Sequence, residues 1–372
     1  MLFQVLMHWM EIKVGSRRAF MTGLISSASL PIKTWADVGT PKFLSAGKYS
    51  NGEYALFGIN IDGKVVFEIP VTHRAHAATT HPSIPHAVAF ARRPGYFAII
   101  INCLNKSIIK KLIPPKENHF YGHGCYIKNG TILVTTENEI ETGKGLLGLW
   151  DSQLNYRRIG QIASGGIGPH EVKALPNEMG IVVANGGIRT HPKYGRKKLN
   201  LEMMRSNISF FDLNYSLKNK LKLPKEMQLN SIRHLDVSAQ GKVAFGTQWQ
   251  GDQSEIVPLV GYIDQMQTLT LIELNILNQS ELKGYIGSVA INGGGSLISA
   301  TSPRGGISHI YNNNTLVQKF WKTDICGVAS VNNGFAFTNG SGSFFHISNN
   351  NNNKKIIHTK SKLHWDNHLI SL

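Results

Sequence analysis

The stretch HGCYIKNGTILVTTEN, residues 123–138, shows the pattern on which the chain is built. A histidine opens an apolar run, the chain turns at Gly130, and a second apolar run ends in small and polar residues. Two short apolar runs around a glycine turn predict a β-hairpin. The same plan returns at His170 and at His234. We therefore predict a repeated hairpin whose first strand opens on a histidine.

The hairpin can be placed seven times along the chain. Its first strands begin near His76, His123, His170, His234, Ser288, Val328 and His368. The spacing, about 40 to 64 residues, is typical of four-stranded propeller blades with loop insertions. The sequence therefore predicts an all-β fold, a seven-bladed β-propeller formed by residues 37–372 as a single domain. Six or eight blades remain alternatives, because the blade near residues 255–283 is poorly marked.

The last hairpin contains only its first strand, at residues 368–372. A second strand for it is available near the other end of the chain, at Phe43-Leu44-Ser45-Ala46. Pairing the two would close the ring and remove the exposed edge of an open array. We expect the C-terminal strand to pair with N-terminal strands in this way.

Composition limits the classes of partner. The chain has 372 residues, of which 42% are hydrophobic, and a formal net charge of +16. No run approaches the roughly 18 apolar residues of a membrane-spanning helix, so we expect no transmembrane segment in the mature chain. The basic charge makes anionic surfaces plausible partners. Nucleic acid is not expected, because aromatic residues are not interleaved with the basic ones.

The N-terminus resembles an export signal. Ser16-Arg17-Arg18-Ala19-Phe20-Met21 is a twin-arginine pattern, an apolar stretch follows it, and Thr34-Trp35-Ala36 offers small residues to a signal peptidase. We predict that residues 1–36 are a twin-arginine-type signal peptide, cleaved near Ala36, and that the protein is periplasmic. A chance Arg-Arg pair in a cytosolic protein is the alternative.

The repeated histidine is the candidate functional feature. In an antiparallel hairpin the start of the first strand lies beside the end of the second, so both positions should meet at one mouth of the propeller channel. The candidate metal ligands are His76, His123, His170, His234 and His368. Neutral imidazole suits iron, copper, zinc and nickel. Alternatively, each histidine anchors its own blade by a backbone hydrogen bond, repeated with the blade.

Other polar residues are predicted at the same mouth. They are Arg93, Glu137, Asn138, Glu171, Asn185, Gln248, Ser302 and Arg304. The carboxylates and amides in this set could orient the imidazoles. The insertion at residues 188–207 could form a basic lid that recruits carboxylates or a chelated metal; a solvated loop is the alternative. Its candidate residues are Arg189, His191, Tyr194, Arg196 and Lys197.

The three cysteines, Cys103, Cys125 and Cys326, lack the C-x-x-C spacing of a zinc ribbon or a thioredoxin-like centre. One disulfide is possible, and its pairing stays open. Cys125 follows His123 by two residues, which places both on one strand face and makes a nucleophile conceivable. A buried structural cysteine is the other interpretation.

Several motifs resemble those of a known family. They include His119-Phe120-Tyr121-Gly122-His123-Gly124, Gly168-Pro169-His170-Glu171, Ser231-Ile232-Arg233-His234 and Trp365-Asp366-Asn367-His368. From about residue 44 to 368 the chain resembles domain-of-unknown-function family 1513. The resemblance implies an exported propeller-like protein, often encoded near imelysin-type periplasmic iron-uptake proteins and without an established activity. One departure is Arg74-Ala75-His76-Ala77, where the family tends to have Arg-Gly-His-Gly.

The leading hypothesis is a monomeric periplasmic propeller that binds a transition metal, with iron favoured, among periplasmic iron-uptake proteins as possible partners. A metal-free scaffold that docks a partner protein is the second. The third is a copper redox enzyme that resembles nitrous-oxide-reductase-type propellers, although the chain lacks their cysteine-rich electron-entry domain. No catalytic constellation is evident in the sequence, so a binding protein is favoured over an enzyme.

Overall fold

The structure is a computed structural model that describes residues 33–92, 95–195, 197–350 and 353–372. Arg93, Arg196 and the twin-arginine motif lie outside the described residues. Within Thr34–Leu372 the strands form seven four-stranded antiparallel sheets, and each sheet is one propeller blade. The predicted all-β fold with seven blades is confirmed.

The blades are numbered along the chain. Blade 1 contains β1 (Phe43–Tyr49), β2 (Tyr54–Ile59) and β3 (Val65–Val71), with β28 (Leu363–Ser371) innermost. Blade 2 contains β4 (Ala75–Thr80), β5 (His86–Ala91), β6 (Ala98–Asn102) and β7 (Ser107–Leu112). Blade 3 contains β8 (Asn118–Ile127), β9 (Ile132–Glu139), β10 (Lys144–Asp151) and β11 (Arg157–Ile167). Blade 4 contains β12 (Pro169–Leu175), β13 (Gly180–Asn185), β14 (Asn207–Phe211) and β15 (Leu217–Lys222).

The remaining blades follow the same plan. Blade 5 contains β16 (Asn230–Val237), β17 (Val243–Trp249), β18 (Val260–Asp264) and β19 (Thr268–Leu271). Blade 6 contains β20 (Ser288–Ile291), β21 (Leu297–Ser302), β22 (Ile307–Asn312) and β23 (Thr315–Trp321). Blade 7 contains β24 (Ile325–Val331), β25 (Gly334–Asn339), β26 (Ser343–Asn350) and β27 (Asn353–Lys360).

In the described part of the chain, helical structure is confined to short segments outside the blade strands. One α-helix, α1, spans Ile276–Ser280, and the 3₁₀ turns are Trp35–Val38, Lys128–Gly130, Pro176–Glu178, Pro192–Tyr194, Leu201–Met203 and Lys225–Met227. The stretch near residues 255–283 marks its blade poorly because β18 and β19 are short and α1 follows them. No helix among the described residues is long and apolar enough to cross a membrane.

The ring closes as predicted. The C-terminal β28 pairs antiparallel with β1, with Leu44 opposite Ile370 and Ser45 opposite Leu369. β1 therefore takes the second position in blade 1, and β28 takes the innermost one. This mixed-terminus pairing leaves no open edge between the first and last blades.

The apolar core lies between neighbouring blades. Val88 and Phe90 of blade 2 pack with Phe120 and Leu133 of blade 3 in one such layer. Comparable layers follow around the ring. Fully burying side chains of this size contributes roughly 1.5–3 kcal/mol each. The layers hold the innermost strands of the blades in fixed positions around the axis.

Trp35 joins the N-terminal segment to blade 2. Its indole N–H donates to the carbonyl of His81 at 2.9 Å, and its ring packs against the apolar layer of blades 1 and 2. Cleavage of the chain near Ala36 stays a prediction. It would release this indole from the propeller.

Candidate metal centre

The structure brings the five predicted histidines together on the propeller axis. They come from the innermost strands of blades 1 to 5. Neighbouring rings lie close: the centroids of His123 and His368 are 4.8 Å apart, and those of His76 and His368 are 4.9 Å apart. His170 and His234 continue the group at 5.0 Å from each other. Residues about 47 or more positions apart in sequence thus form one cluster.

A β-bulge places a histidine in each of two inner strands. In β4 the pairing steps from Ala75–Ala91 to Ala77–Phe90, so His76 has no partner in β5. In β12 the pairing steps past His170 in the same way. An extra residue in one strand re-aims its side chain. Ala75 and Ala77, which depart from the family pattern, are buried and keep this bulge without glycine.

The inner strands that carry the other three cluster histidines also have register shifts near them. In β8 the pairing omits Tyr121–His123, and in β28 it omits Asp366–His368. In β16 the residue omitted is Arg233, which immediately precedes His234. Of the two blades without a cluster histidine, blade 6 pairs β20 with β21 without a register shift, whereas blade 7 has a shift between Ile325 and Val328 of β24. A register shift therefore occurs in every inner strand that carries a cluster histidine, but it is not confined to those strands.

Gly122 is required by the packing of this cluster. Its φ is +107°, and a Cβ at this position would lie 2.9 Å from Cδ2 of His76. An L-residue is strained in this backbone conformation. The glycine therefore permits both the bulge of β8 and the approach of the imidazole from blade 2.

Three of the histidines could hold a metal ion. His76, His123 and His368 each offer one ring nitrogen, and these three atoms lie within 4.8 Å of one another. Metal–nitrogen bonds of about 2.0–2.1 Å separate ligand nitrogens by roughly 3–3.5 Å. Small ring rotations toward the centre would therefore be needed for all three to bind one ion. His170 and His234 flank this trio.

Several ring nitrogens of the cluster are buried without a hydrogen bond. Within the described part of the chain, no hydrogen-bond partner is found for Nε2 of His123, Nε2 of His368, Nδ1 of His76 or Nδ1 of His170. Nδ1 of His234 has only the Glu171 carboxylate nearby, at 3.6 Å. Buried polar atoms are nearly always paired, and each unpaired one costs about 1–3 kcal/mol. Histidines that anchored their blades through these atoms would have partners at them.

Burial keeps most of the cluster neutral. It lowers the pKa of His76, His123, His170 and His368 well below the ordinary value of an imidazole. Neighbouring imidazoles lower the pKa of His76 and His368 further, and Arg233 does so for His170. Neutral imidazole is the form that binds metals. These rings are therefore available as ligands near pH 7.

Glu171 lies beside the cluster. Its carboxylate oxygens are 3.9 Å from Nδ1 of His123 and 3.6 Å from Nδ1 of His234, and Oε2 accepts the backbone N–H of Leu235 at 3.0 Å. Burial raises the pKa of Glu171, but Lys173, 3.5 Å away, and the two imidazoles hold it well below its ordinary value. An ionised carboxylate therefore faces two of the rings.

The structure places Glu137 away from the position expected for it. Its Oε1 accepts from Arg158 at 2.6 Å and Thr135 at 2.9 Å, and its Oε2 accepts from Arg158 at 2.9 Å and Asn118 at 3.0 Å. All four contacts lie within blade 3. A Cβ on Gly148 would be 1.9 Å from Oε1, so that glycine leaves the space for the carboxylate. Glu137 is part of a structural ion pair.

Three more predicted residues have hydrogen-bond partners in their own blade, in an adjacent loop or, for Asn185, also in the neighbouring blade 3. The amide of Asn185 bonds Ser164 and Asn207, and that of Asn138 donates to the carbonyl of Glu139. Ser302 donates to the carbonyl of Leu282 at 2.8 Å and accepts the N–H of Gly305. None of these contacts reaches an imidazole of the cluster.

Gln248 and Arg304, two of the residues predicted at the channel mouth, line a cavity next to the cluster. The cavity has a volume of about 620 Å³, and His76, His170 and His234 contribute to its lining. Arg92, Lys198 and Arg233 also line it, and the sequence reasoning missed them as site residues. Two of them were signalled by position, since Arg92 follows the end of β5 and Arg233 directly precedes a cluster histidine.

The predicted lid residues do not line this cavity in the described structure. Arg189 donates to the carbonyl of Glu141, and Nε2 of His191 is 3.5 Å from the Glu141 carboxylate. Tyr194 and Lys197 are exposed. Of the described residues in the 188–207 insertion, only Lys198 contributes to the lining.

The cysteines carry no redox or nucleophilic site in the described structure. Cys103, Cys125 and Cys326 are buried free thiols. Burial raises the pKa of the Cys125 thiol to about 12, so it is not a thiolate near pH 7. The structural interpretation of Cys125 therefore fits.

Comparisons with known proteins agree with the fold. The Kuenenia stuttgartiensis hydrazine synthase has a similar structure, with a TM-score of 0.61 over 89% of this chain and 98% of that chain. At 12% sequence identity this similarity shows the fold alone. No protein of curated function matches the chain. A family profile described as "Protein of unknown function (DUF1513)" matches residues 69–372, and the chain belongs to this family.

Proposed function

We propose that the protein binds one transition-metal ion at the centre of its propeller, through His76, His123 and His368. One observation carries this proposal: these buried imidazoles converge to within 4.8 Å and have ring nitrogens without a hydrogen-bond partner in the described chain. Such a group loses hydration on folding and gains no protein partner in return. A metal ion would satisfy the nitrogens, and His170 and His234 supply further imidazoles beside it.

The carboxylate of Glu171 supports the same proposal. It lies next to Nδ1 of His123, whereas the unpartnered nitrogen of that ring is Nε2. Metal-binding histidines usually direct their second ring nitrogen at a carboxylate or carbonyl, which fixes the tautomer and raises the basicity of the ligand. Glu171 would hold the proton of His123 at Nδ1 and leave Nε2 for the metal.

Iron is the metal we propose first, with copper as the alternative. Neutral imidazoles accept either ion, and copper(II) binds nitrogen ligands more tightly than the other first-row divalent metals. The preference for iron comes from the setting that the family resemblance implies, a periplasmic iron-uptake system. Three imidazoles leave open positions on the metal, and these suit reversible binding of the ion or of a ligand that carries it.

Metal titration of the stripped protein tests this proposal. We expect Fe²⁺ under anaerobic conditions, or Cu²⁺, to bind at one equivalent. The His123→Gln and His368→Gln variants should each weaken binding by about 100-fold, which corresponds to about 2.7 kcal/mol. His364→Gln is the matched control, because this exposed histidine of the same strand β28 bonds the carbonyl of Gly340 and should leave affinity unchanged. Equal affinities in all four proteins would reject the site.

A further inference from the structure

The cavity above the histidines has the dimensions of a ligand site. Its volume of about 620 Å³ falls in the range of roughly 300–1,000 Å³ that is usual for small-molecule pockets. Three cluster histidines share the lining with residues of other blades and loops. A molecule bound in the cavity would therefore contact the imidazole layer directly.

The lining of the cavity carries a concentrated positive charge. Arg92, Lys198, Arg233 and Arg304 all contribute to it, and the described lining residues include no aspartate or glutamate. Arg233 is only 8% exposed. Arg92 is half-buried, and Lys198 and Arg304 are exposed. Cations that share one space repel one another, and an anion in their midst would reduce that repulsion. The charge therefore selects for an anionic ligand.

The cationic groups influence one another. The pKa of Lys198 is lowered, first by burial and then by Arg233 and Arg304. The guanidinium of Arg304 lies 4.4 Å from the centre of the Tyr285 ring, a cation–π contact that holds it in place. Guanidinium groups held in this way are suited to bidentate bonds with carboxylates.

The remaining lining favours an organic molecule over a bare inorganic ion. Tyr121, Trp249 and Tyr285 provide aromatic surface, and Gln248, Gln250 and Asn367 provide amides. An inorganic oxyanion would fill a small part of this volume and would leave the aromatic surface uncovered. A carbon skeleton with several carboxylates would use the cations, the amides and the rings together.

We propose that the cavity binds a small organic polycarboxylate, and that this anion donates oxygen atoms to the open positions of the metal below it. The contact with the metal rests on the proposed function, whereas the anion site needs only the cations and the cavity. The protein would then hold its metal as an anionic chelate, with the charge of the chelator matched by the four cations. This places specificity for the ligand in the lining of the cavity.

Calorimetric titration of the full chain, stripped of metal with a chelating resin, tests the anion site by itself. The probes are citrate, inorganic phosphate and triethyl citrate, all at one fixed ionic strength. We expect citrate to bind at one equivalent, phosphate to bind at least about tenfold more weakly, and the uncharged ester not to bind, since tenfold corresponds to about 1.4 kcal/mol.

Two adjacent lysines give a matched pair of variants. Both lysines are exposed, but Lys198 lines the cavity and Lys197 does not. Lys198→Gln should weaken citrate binding by about three- to tenfold, and Arg304→Gln by about tenfold or more, because a bidentate pair is lost. Lys197→Gln removes the same charge and should change the affinity by less than about twofold.

Three results would overturn the polycarboxylate proposal. They are no binding of citrate, equal losses in Lys197→Gln and Lys198→Gln, and phosphate binding as tightly as citrate, which would indicate an inorganic oxyanion site. The titration uses metal-free protein, so its outcome is independent of the metal proposal. If His123→Gln abolishes metal binding while citrate affinity is retained, both sites exist and are separate.

Discussion

The carboxylate of Glu137 and the imidazoles of the histidine cluster are both buried, but they differ in how fully they are hydrogen-bonded. In blade 3 the carboxylate of Glu137 receives four hydrogen bonds, two of them from Arg158. At the axis the imidazoles have ring nitrogens that no described residue bonds. Both groups are buried, and both come from the repeated hairpin. Saturated bonding indicates a structural role, and unsatisfied bonding indicates a place for a ligand.

The comparison explains why residue type and repeat position are insufficient to assign a site. Glu137 and His123 belong to adjacent strands of one blade. Glu137 lies near the end of β9, and His123 lies in the middle of β8, which begins five residues earlier than the sequence predicted. The carboxylate of Glu137 points toward the outer strand β11, where Arg158 donates to it. Gly148, which has no side chain, leaves the space that this ion pair occupies. The imidazole is turned toward the axis by a bulge. Four predictions test the distinction.

The largest effect on folding stability is expected at the fully hydrogen-bonded carboxylate of Glu137. Glu137→Ala should lower the free energy of unfolding by about 3–5 kcal/mol, because it leaves the guanidinium of Arg158 without its partner. Urea denaturation measures this loss. The double variant Glu137→Leu/Arg158→Leu should recover much of it, since removing both charges leaves none unpaired. A loss below about 1 kcal/mol in the single variant would contradict a structural ion pair.

Metal binding at the histidine cluster should stabilise the folded protein. At a free metal concentration about 100 times Kd, the wild-type protein should gain about 2.7 kcal/mol in its free energy of unfolding. His123→Gln should gain almost none at the same concentration. Denaturation curves with and without metal provide the measurement. A similar gain in both proteins would place the metal elsewhere.

Acid should destabilise the metal-free protein through the same histidines. Their pKa values are lowered in the folded state, so between pH 6.5 and 5 the unfolded chain binds protons that the folded chain does not. Stability is therefore lost as pH falls, by about 1.4 kcal/mol per pH unit for each histidine that stays neutral. Glu171, whose pKa is lowered, acts below this window. The variant His76→Gln/His368→Gln should have a visibly flatter pH profile; an unchanged slope would be inconsistent with neutral buried rings.

The smallest effect is expected from Gly122→Ala, which disturbs the packing of the His76 ring. Gly122→Ala should weaken metal binding by about tenfold, because the added Cβ displaces His76 and the backbone has positive φ. The expected loss in folding stability is about 1 kcal/mol. Ala77→Gly, which alters the bulge of β4 without adding atoms, serves as the control and should retain affinity to within about threefold. Affinity unchanged in Gly122→Ala would show that His76 is not a ligand.

Much of the fold could be predicted because it depends on local sequence. The glycine turns and apolar runs define each hairpin, and the unpaired strand at residues 368–372 implies closure with β1. The convergence of the five histidines follows from the same repeat. Their metal remains a prediction, since no local pattern specifies the distances between rings from different blades.

The rest depends on packing between residues that are far apart in the chain. The partner of Glu137 is Arg158, two strands further out in the blade, and the sequence near Glu137 does not indicate it. Lys198 reaches the cavity while its neighbour Lys197 does not, a difference that the insertion's basic composition hides. The bulges similarly arise from strand pairing and are not evident from either strand alone.

Metal content of the untagged protein, purified without chelators and analysed by inductively coupled plasma mass spectrometry, tests the central claim most directly. We predict about one transition-metal ion per chain in the wild-type protein and in His364→Gln, and less than about a tenth of that in His123→Gln/His368→Gln, because bound metal requires the imidazole ligands. Circular dichroism would verify that the variants are folded. Equal metal content in all three proteins, or none in the wild type even after incubation with Fe²⁺, Cu²⁺ and Zn²⁺, would contradict a metal centre formed by the histidine cluster.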